Sequence, residues 1–317
     1  MCLKNKKILV TGALGFIGRT LLETLIEQEC CSELYGIDIK EINESNSAFV
    51  SKINYENIDI RDEEKVKSYI RKNQFDGIVH LAAVSRVVEA EKNKQNCIKT
   101  NYKGTKYIAE AAGENPDCWM IFASSREVYG EQEKFPVSEH AELLPYNLYG
   151  FYKLEGERVV RANVKKNCVL RFSNVYGNEY DISGRVVPAF VKGAMNGEEL
   201  SLEGGKQIID FTYIGDTVSS IIKCMNLLQS GKMTIDTIHI LPGVQNKITD
   251  LIDILREMGF SFTVRKNPPR NYDVQQFIGN PAHRKEILGD EKFVSLREGI
   301  ERLVLLYKKA QNLVSKN

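Results

Sequence analysis

The chain has 317 residues, of which 43% are hydrophobic and 27% charged, and its formal net charge is +1. This length exceeds what one hydrophobic core usually holds, so we expect one large domain with a smaller lobe. The balanced charge argues against a nucleic-acid partner, and the lack of any run of about 18 apolar residues argues against a membrane-spanning helix. Because no signal peptide precedes the first predicted strand, we expect a cytoplasmic protein.

Short apolar runs alternate with longer amphipathic stretches through the first half of the chain. This alternation predicts an α/β fold, in which a doubly wound parallel sheet carries helices on both faces. The predicted strands are 7–12, 34–39, 54–60, 76–83, 118–125 and 168–174, and the predicted helices lie near 16–29, 62–73, 86–112 and 147–166.

The alternation loosens after residue 174, which indicates a second lobe. A helix near 187–196 and the segments "LSLEGG" and "IIDFTYI" come first, and paired prolines set a loop at 267–273. Between them, a helix near 215–229 and the strand "TIHIL" return to the sheet. We therefore predict a cofactor-binding domain of 1–174 plus about 215–240, and a discontinuous α/β substrate lobe of about 175–214 plus 241–317.

The cysteines are odd in number and form no Cys-x-x-Cys pair. Several of them lie inside apolar runs. We therefore expect reduced, mostly structural thiols and no metal site. The seven positions are Cys2, Cys30, Cys31, Cys97, Cys118, Cys168 and Cys224.

A glycine-rich segment, "TGALGFIG", joins the first strand to the first helix and carries Gly12, Gly15 and Gly18. Glycines here let backbone amides approach a pyrophosphate at the helix N-terminus, as in Rossmann-type dinucleotide-binding domains. Asp38 ends the second strand, where its carboxylate suits the two ribose hydroxyls of NAD and repels the 2′-phosphate of NADP. Lys40 is a cation close to the same place. The segment predicts an NAD site; the alternative is a plain glycine turn.

The chain resembles the extended short-chain dehydrogenase/reductases, the family of nucleotide-sugar epimerases and dehydratases. The resemblance covers nearly the whole chain and depends on eight motifs that occur in order. They are "TGALGFIG", "NIDIRD", "HLAA", "TNYKGT", "SSREVYG", "YGFYK", "LRFSNVYG" and "DFTYIGD".

The resemblance also implies further cofactor neighbours. Asp59 and Ile60 are expected to flank the adenine, and Asn101 to steady the helix and sheet near the active site. Phe16 and Ile17 belong to the glycine motif, and Leu81, Ala82 and Ala83 are expected to line the path of the cofactor.

Two Tyr-x-x-x-Lys pairs are present, Tyr102/Lys106 and Tyr149/Lys153, and spacing alone does not choose between them. Chain order does, because ligands gather beyond the carboxyl ends of parallel strands. Ser125 ends such a strand, and the helix that carries Tyr149 follows it. The family pattern independently selects Tyr149 and Lys153, with Tyr152 in the place of the usual serine.

The resemblance implies a role for each member of this triplet. We predict that Tyr149 acts as base on a sugar hydroxyl and that Ser125 bonds the same oxygen. Lys153 is expected to grip the nicotinamide ribose and to favour the phenolate of Tyr149. The nicotinamide then takes a hydride, which leaves a 4-keto sugar. The alternative is a homologue that has lost turnover, although all three residues are intact.

The pair after Ser125 separates the reactions of this family. Dehydratases that resemble this chain carry Asp-Glu there, an acid and a base, whereas this chain has Arg126 and Glu127. A guanidinium cannot be a general acid near neutral pH. Two interpretations of Glu127 stay open: a catalytic base, or a salt-bridge partner of Arg126 that fixes the turn. Simple 4-epimerases need neither residue.

The diphosphate site also departs from the family pattern. Ile209 stands where the family often has an arginine that contacts the diphosphate. Arg185 and Arg270 are the candidate replacements, and Asn174 is expected to donate to a phosphate oxygen. Each of the three is alternatively an ordinary surface residue.

These features predict an NAD-dependent nucleotide-sugar epimerase that works through a 4-keto intermediate. The alternatives are a 4,6-dehydratase, decarboxylase or 4-oxidase acting on a similar nucleotide-diphosphate sugar. A more distant one is a non-catalytic NAD-binding regulatory protein. The resemblance further implies a homodimer, in which the helices near 86–112 and 147–166 form a four-helix bundle across a two-fold axis.

Overall fold

The computed structural model describes residues 3–29 and 33–314. The chain forms two compact units, each with its own core. The first unit takes the described residues of Met1–Gly130, Glu139–Phe172 and Val218–His239, and the second those of Glu131–Ser138, Ser173–Thr217 and Ile240–Asn317. None of the helices in the described ranges is long and apolar enough to cross a membrane.

The strands are short, as the sequence predicts. They are β1 (Lys7–Thr11), β2 (Glu33–Asp38), β3 (Asn54–Asn57), β4 (Gly77–His80), β5 (Trp119–Ser125), β6 (Lys166–Phe172), β7 (Asn174–Tyr176), β8 (Leu200–Glu203), β9 (Ile208–Ile209), β10 (Phe211–Tyr213), β11 (Ile235–Ile240), β12 (Asn246–Lys247) and β13 (Val264–Asn267).

The α-helices lie between them in the chain. They are α1 (Phe16–Glu27), α2 (Glu44–Val50), α3 (Glu63–Asn73), α4 (Val87–Lys92), α5 (Lys94–Cys97), α6 (Thr105–Gly113), α7 (Leu148–Asn163), α8 (Val186–Asn196), α9 (Ile214–Gln229), α10 (Ile248–Glu257), α11 (Ala282–Leu288) and α12 (Leu296–Val314).

A seven-stranded sheet of order β11-β6-β5-β4-β1-β2-β3 forms the centre of the first unit. The neighbouring strand pairs β1–β2, β1–β4, β2–β3, β4–β5 and β5–β6 are all parallel. The strand order reverses between β1 and β4, as in a Rossmann fold, which confirms the predicted fold class. Ligands bind beyond the carboxyl ends of the strands at such a reversal, so Thr11, His80 and Ser125 end at the relevant edge.

The central strands are buried along their whole length, which explains their composition. Every residue of β4 and β5 is buried, including Ile78, Val79, Met120 and Ile121. Strands covered on both faces read as continuous apolar runs rather than as alternating patterns. The polar residues at their carboxyl ends are therefore exceptions that need bonding partners.

The predicted single helix near 86–112 is wrong, because that stretch consists of four short segments. Asn93 interrupts it with φ −132° and ψ 77°, and its side chain caps α5 by accepting from the Asn96 amide. A π-helical turn, Ile98–Gly104, then separates α5 from α6. Gly104 ends this turn against Ile60, where a Cβ would lie 2.8 Å from the Ile60 Cδ1 atom. Capping by the Asn93 side chain and close packing of Gly104 against Ile60 therefore accompany the division of this stretch into short segments.

The second unit has its own core, built by α8, α10, α12 and short strand pairs. Segment 131–138 belongs to this unit, although the predicted boundary assigned it to the cofactor domain. Within the unit, the Val137 amide donates to the Ile278 carbonyl (2.8 Å), and the Asn280 amide donates to the Val137 carbonyl (2.7 Å). The proposed role of this unit as the substrate lobe stays a prediction.

A buried ion pair joins α7 to β6 in the first unit. Arg171 donates through Nε and Nη2 to the two carboxylate oxygens of Glu157, at 2.9 and 2.7 Å. Its Nη1 donates to the Tyr129 hydroxyl (2.6 Å) and to the Glu139 carbonyl (2.9 Å). Ser124 donates its hydroxyl to the same Glu157 carboxylate. The guanidinium therefore has four bonds to acceptors, the condition under which a buried pair is tolerated.

We predict that Arg171→Met lowers the free energy of unfolding by about 3–5 kcal/mol, because it leaves the Glu157 carboxylate buried without its cation. The double variant Glu157→Leu/Arg171→Met should recover much of this loss, since it removes both charges. Urea unfolding followed by circular dichroism measures both.

The matched control is Arg71→Met, which breaks an Arg–Glu pair with Glu114 that is about half exposed on each side. Water screens this pair, so its loss should change stability far less. Equal losses for the two single variants, or no recovery in the double variant, would contradict a dominant role for burial.

Candidate active site

The glycine-rich segment turns tightly between β1 and α1, and two of its glycines are required by sterics. Gly12 has φ +70°, and a Cβ on it would lie 2.9 Å from the Ala82 amide nitrogen. A Cβ on Gly18 would lie 2.1 Å from the Gly12 carbonyl oxygen. The backbone at Gly12 and Gly18 is thus packed too closely for a side chain, and Gly18 lies in the first turn of α1.

Asp38 and Lys40 hold this segment from the end of β2. The buried Asp38 carboxylate accepts from the Leu14 amide (3.0 Å) and from the Lys40 amide (3.1 Å). The Lys40 ammonium in turn donates to the Leu14 carbonyl oxygen (2.9 Å). Both backbone groups of Leu14 are therefore bound by residues at the end of β2.

Asp59 and Ile60 are found close to the end of β3, with different surroundings. Arg61 donates through Nε to both oxygens of the Asp59 carboxylate at 2.9 Å, and this hydrogen bonding lowers the pKa of Asp59. Arg61 also donates to the Asn96 side-chain oxygen (2.7 Å). Ile60 is buried beneath Gly104. An adenine contact by either residue stays a prediction.

The segment after β4 is fixed by side chains from two other elements. The Thr11 hydroxyl oxygen accepts from the amides of Leu81 (3.2 Å) and Ala82 (3.1 Å). Asn101, from the π-helical turn, accepts from the Val84 amide (2.8 Å) and donates to the Val84 carbonyl (3.0 Å). These bonds tie the π-helical turn to the segment after β4, and the steadying role that the resemblance implies for Asn101 stays a prediction.

His80 links these two anchors, and its bonds define its protonation. Thr105 donates to the Asn101 carbonyl (2.8 Å), so the Thr105 oxygen accepts the Nε2 hydrogen of His80 (3.0 Å). The Nδ1 atom then accepts from the Thr11 hydroxyl (2.7 Å). This fully buried histidine is a neutral donor and acceptor at once. Its role was missed because no sequence signal separates it from a packing residue.

The catalytic candidates lie on β5 and α7 of the first unit. Ser125 ends β5, and its hydroxyl oxygen accepts from the Glu127 amide (3.2 Å). Tyr149 lies in the first turn of α7, and Lys153 lies one turn later. The Lys153 ammonium donates to the Ala123 carbonyl (2.7 Å), two residues before Ser125. This bond attaches the helix of Tyr149 to the strand of Ser125.

Lys153 is buried, with an exposed fraction of 4%, and its charge is costly. Burial lowers the pKa of Lys153 to about 8, although Cys97 and Glu157 act in the opposite direction. The ammonium lies 5.0 Å from the Phe122 ring centroid and 5.8 Å from that of Tyr149. A desolvated cation close to the phenol favours the phenolate form.

Arg126 and Glu127 form a buried ion pair. Arg126 Nη2 lies 3.0 Å from Glu127 Oε1, and neither side chain is more than 10% exposed. The other carboxylate oxygen, Oε2, accepts from the Asn147 side-chain amide (2.7 Å). Sequence reasoning missed Asn147, although an asparagine just before a helix is an ordinary N-cap signal.

The second Tyr-x-x-x-Lys pair has different surroundings. Tyr102 lies in the π-helical turn and packs against Tyr152, with ring centroids 6.2 Å apart. Lys106 is half exposed and lies 3.6 Å from Glu110. Tyr152, which replaces the serine usual in the family, thus packs against another aromatic ring.

The candidate diphosphate ligands all belong to the second unit. Arg185 Nη1 lies 3.4 Å from the Asp181 carboxylate, and burial raises the pKa of Asp181. Arg270 is exposed in the proline-rich loop, and Asn174 begins β7. Ile209 is buried in the core of this unit. Phosphate binding by Asn174, Arg185 or Arg270 stays a prediction.

Metal and disulfide chemistry find no support in the parts of the chain that the structure describes. Residues 3–29 and 33–314 contain no group of three or more His, Cys, Asp or Glu side chains placed to hold a metal ion. The described cysteines are buried free thiols: Cys97, Cys118, Cys168 and Cys224. Cys2, Cys30 and Cys31 lie outside the described residues.

Comparison with known proteins gives consistent matches. Residues 8–235 match the model of the NAD dependent epimerase/dehydratase family. A putative UDP-glucose 4-epimerase from Methanocaldococcus jannaschii is 29% identical over 308 residues, covering 94% of this chain and 97% of that protein. A UDP-N-acetyl-alpha-D-glucosaminuronate decarboxylase from Bacillus cytotoxicus is 28% identical over 246 residues, covering 72% and 74%.

A solved structure extends the likeness to three dimensions. It is the UDP-glucuronic acid 4-epimerase from Bacillus cereus in complex with UDP-glucuronic acid and NAD. It superposes with a TM-score of 0.85 and 25% identity, covering 96% of this chain and 99% of that chain.

We predict that His80→Asn removes part of the acid sensitivity of folding. Burial, and then the nearby Lys153 charge, lower the pKa of His80 to about 3, whereas an unfolded histidine titrates near 6.5. Between these values only the unfolded state takes up the proton. The stability contributed by neutral His80 is therefore complete above pH 6.5 and is lost as the pH falls, by roughly 2–4 kcal/mol near pH 4.

Urea unfolding of wild type and variant at several pH values measures this effect as a difference in slope. The variant is expected to lose less stability than wild type between about pH 6.5 and 4. Parallel curves would show that His80 stays unprotonated in both states or is protonated in both.

Proposed function

The chain belongs to the NAD dependent epimerase/dehydratase family, and we propose that it epimerises a nucleotide-diphosphate sugar through a transient 4-keto intermediate. The observation that carries this proposal is the pair after Ser125. The family's dehydratase-like reactions need an acid there, and this chain offers Arg126 in an ion pair with Glu127. An intact Ser125, Tyr149 and Lys153 beside a missing acid favours oxidation and reduction without elimination.

The residues of the first unit fit the cofactor of this family, NAD. The glycine turn at the N-terminus of α1 suits a pyrophosphate, and the Asp38 carboxylate suits a ribose without a 2′-phosphate. Leu81, Ala82 and Ala83 follow on a fixed segment, and the proposed contact of Lys153 with the second ribose is supported by the bond that ties Lys153 to the strand of Ser125. When bound, NAD accepts a hydride from the fourth carbon of the sugar and returns it.

Tyr149 acts as the proton acceptor for the hydroxyl on that carbon. The Lys153 ammonium favours its phenolate, and the Ala123 carbonyl holds that ammonium in place. As the sugar is reduced on its other face, Tyr149 returns the proton to the oxygen. Tyr149 takes the proton and returns it, so epimerisation requires no second acid.

Ser125 orients the same sugar oxygen. Its hydroxyl oxygen already accepts from the Glu127 amide, so its own hydrogen is available to donate. A donor at this place steadies the ketone as it forms and keeps its oxygen close to Tyr149.

A decarboxylase is the second candidate, because loss of carbon dioxide from a 4-keto uronic acid also needs no acid at position 126. The 28% identical decarboxylase from Bacillus cytotoxicus favours it.

We also propose that the protein forms a homodimer, in which two copies of the chain contact each other through α4–α6 and α7. The partly exposed Phe151 and its neighbour Tyr152 offer aromatic surface on α7 for that contact.

We predict that incubation with NAD and a panel of UDP-, GDP-, dTDP- and CDP-sugars gives one sugar an isomer of unchanged mass. Chromatography with mass spectrometry detects it. Loss of water would identify a dehydratase, and loss of carbon dioxide a decarboxylase. If no sugar reacts, the proposal fails in favour of a regulatory NAD-binding protein.

Tyr149→Phe is predicted to abolish turnover while NAD binding stays nearly intact. Loss of a positioned acid–base group raises the barrier by about 3–5 kcal/mol, a fall in kcat on the order of 100- to 5,000-fold. Steady-state kinetics and calorimetric NAD titration measure the two properties.

Tyr102→Phe is the matched control, since it removes the same hydroxyl from the other Tyr-x-x-x-Lys pair. Its loss should cost at most a hydrogen bond, about 1 kcal/mol of stability. Equal effects on kcat from the two substitutions would refute the assignment of Tyr149.

A further inference from the structure

We infer that Glu127 is a positioning residue, which sets the start of the helix carrying Tyr149 by orienting Asn147, and that it moves no proton. This inference deepens the proposed function, on which it rests. It resolves the two interpretations of Glu127 that the sequence left open, and it gives the Arg126–Glu127 pair a task within an epimerase.

Asn147 is the N-cap of α7. Its backbone is extended (φ −131°, ψ 166°), and its side-chain oxygen accepts from the Gly150 amide at 2.8 Å. This bond satisfies one of the amides that a helix leaves without an internal partner at its first turn. Tyr149 lies within that same turn, so the cap fixes the backbone from which the phenol projects.

Glu127 determines which way the Asn147 amide faces. An asparagine side chain has an oxygen and a nitrogen of nearly equal size, and only the oxygen can cap a helix. The ionised Glu127 carboxylate can only accept, and it accepts from the Asn147 nitrogen at 2.7 Å. The opposite orientation would place the asparagine oxygen against a carboxylate, so Glu127 selects the capping orientation.

The backbone of Glu127 also contacts the first turn of α7, and it connects that turn to Ser125. A Cβ added to Gly150 would lie 2.3 Å from the Glu127 carbonyl oxygen, so the first turn of α7 lies directly on this residue. The Glu127 amide meanwhile donates to the Ser125 hydroxyl oxygen. One residue thus contacts both Ser125 and the turn of Tyr149, the two groups that must meet on one sugar oxygen.

Arg126 keeps Glu127 suited to this task. Its guanidinium lies 3.0 Å from Glu127 Oε1, and the side chains of both residues are about nine-tenths buried. A buried carboxylate needs a paired cation to stay ionised. With Oε1 on Arg126 and Oε2 on Asn147, both oxygens of Glu127 are engaged by protein donors, whereas a general base needs an oxygen directed at substrate.

The test compares Glu127→Gln with Glu127→Ala. Glutamine cannot act as a base but still offers an oxygen to the Asn147 nitrogen, whereas alanine offers nothing. Positioning predicts that Glu127→Ala lowers kcat by about tenfold or more and that Glu127→Gln recovers most of the loss. It also predicts that the losses from Glu127→Ala and Asn147→Ala do not multiply in the double variant, because Glu127 acts only through the cap that Asn147 makes. A base would make Gln and Ala equally damaging.

The pH profile of kcat supplies a second readout. If Glu127 were a base, an acidic limb would vanish in Glu127→Gln; positioning leaves the limb where it is in wild type. Equal losses for Gln and Ala, multiplying losses in the double variant, or a vanished limb would each overturn the inference.

Thermal unfolding and NAD titration follow the same cycle without turnover, so the inference can be judged even if no nucleotide sugar reacts. Asp62→Ala is the control, since it removes a side-chain cap from α3, where Asp62 accepts from the Lys65 amide. It should lower Tm without changing kcat. Tm losses that add fully between Glu127→Ala and Asn147→Ala would contradict a shared cap.

Discussion

The buried pair of Arg171 and Glu157 is the interaction on which the catalytic edge of this protein depends. Arg171 projects from β6, Glu157 from α7, and Ser124 from β5, and all three side chains are at least 95% buried. Two charges in such surroundings are tolerated only when nearly every lone pair and hydrogen has a partner. That requirement restricts how α7 can lie on the sheet, and therefore where Tyr149 and Lys153 lie relative to Ser125.

Two smaller networks complete the same edge, each with one allowed direction of hydrogen bonding. On the cofactor side, neutral His80 connects Thr11 to the turn of Asn101, whose side chain fixes the segment after β4. On the reacting side, Glu127 connects Ser125 to the cap of α7. Preorganised groups of this kind need little rearrangement during a reaction, which is how a site built from ordinary side chains stabilises a transition state.

The family carries out several reactions from one shared oxidation, so the residues around the sugar decide the outcome. In the reaction that we propose, Lys153 and Tyr149 belong to the shared step. Arg126 affects the step after this oxidation, because a guanidinium stays protonated near neutral pH and cannot donate a proton as an aspartic acid can. The ion pair with Arg126 and the bond from Asn147 also engage both carboxylate oxygens of Glu127, the group that would otherwise take a proton from a neighbouring carbon. Under the proposed function, a sugar oxidised here is reduced again on its other face without elimination.

The sequence by itself determined the parallel α/β fold and the glycine segment, and it supplied Ser125, Tyr149 and Lys153 as catalytic candidates, because these depend on local patterns of period, turn chemistry and motif order. It did not determine the break at Asn93 or the π-helical turn, where a side-chain cap and contact with Ile60 outweigh helical periodicity. Only the tertiary structure decided the partners of Arg171, His80 and Glu127. The Thr11–His80 bond joins residues 69 positions apart and the Arg171–Tyr129 bond joins residues 42 apart, and no local signal specifies such pairings. A polar residue in an apolar run can be recognised in the sequence as one that needs a hydrogen-bond partner, but only the folded chain shows which residue that partner is.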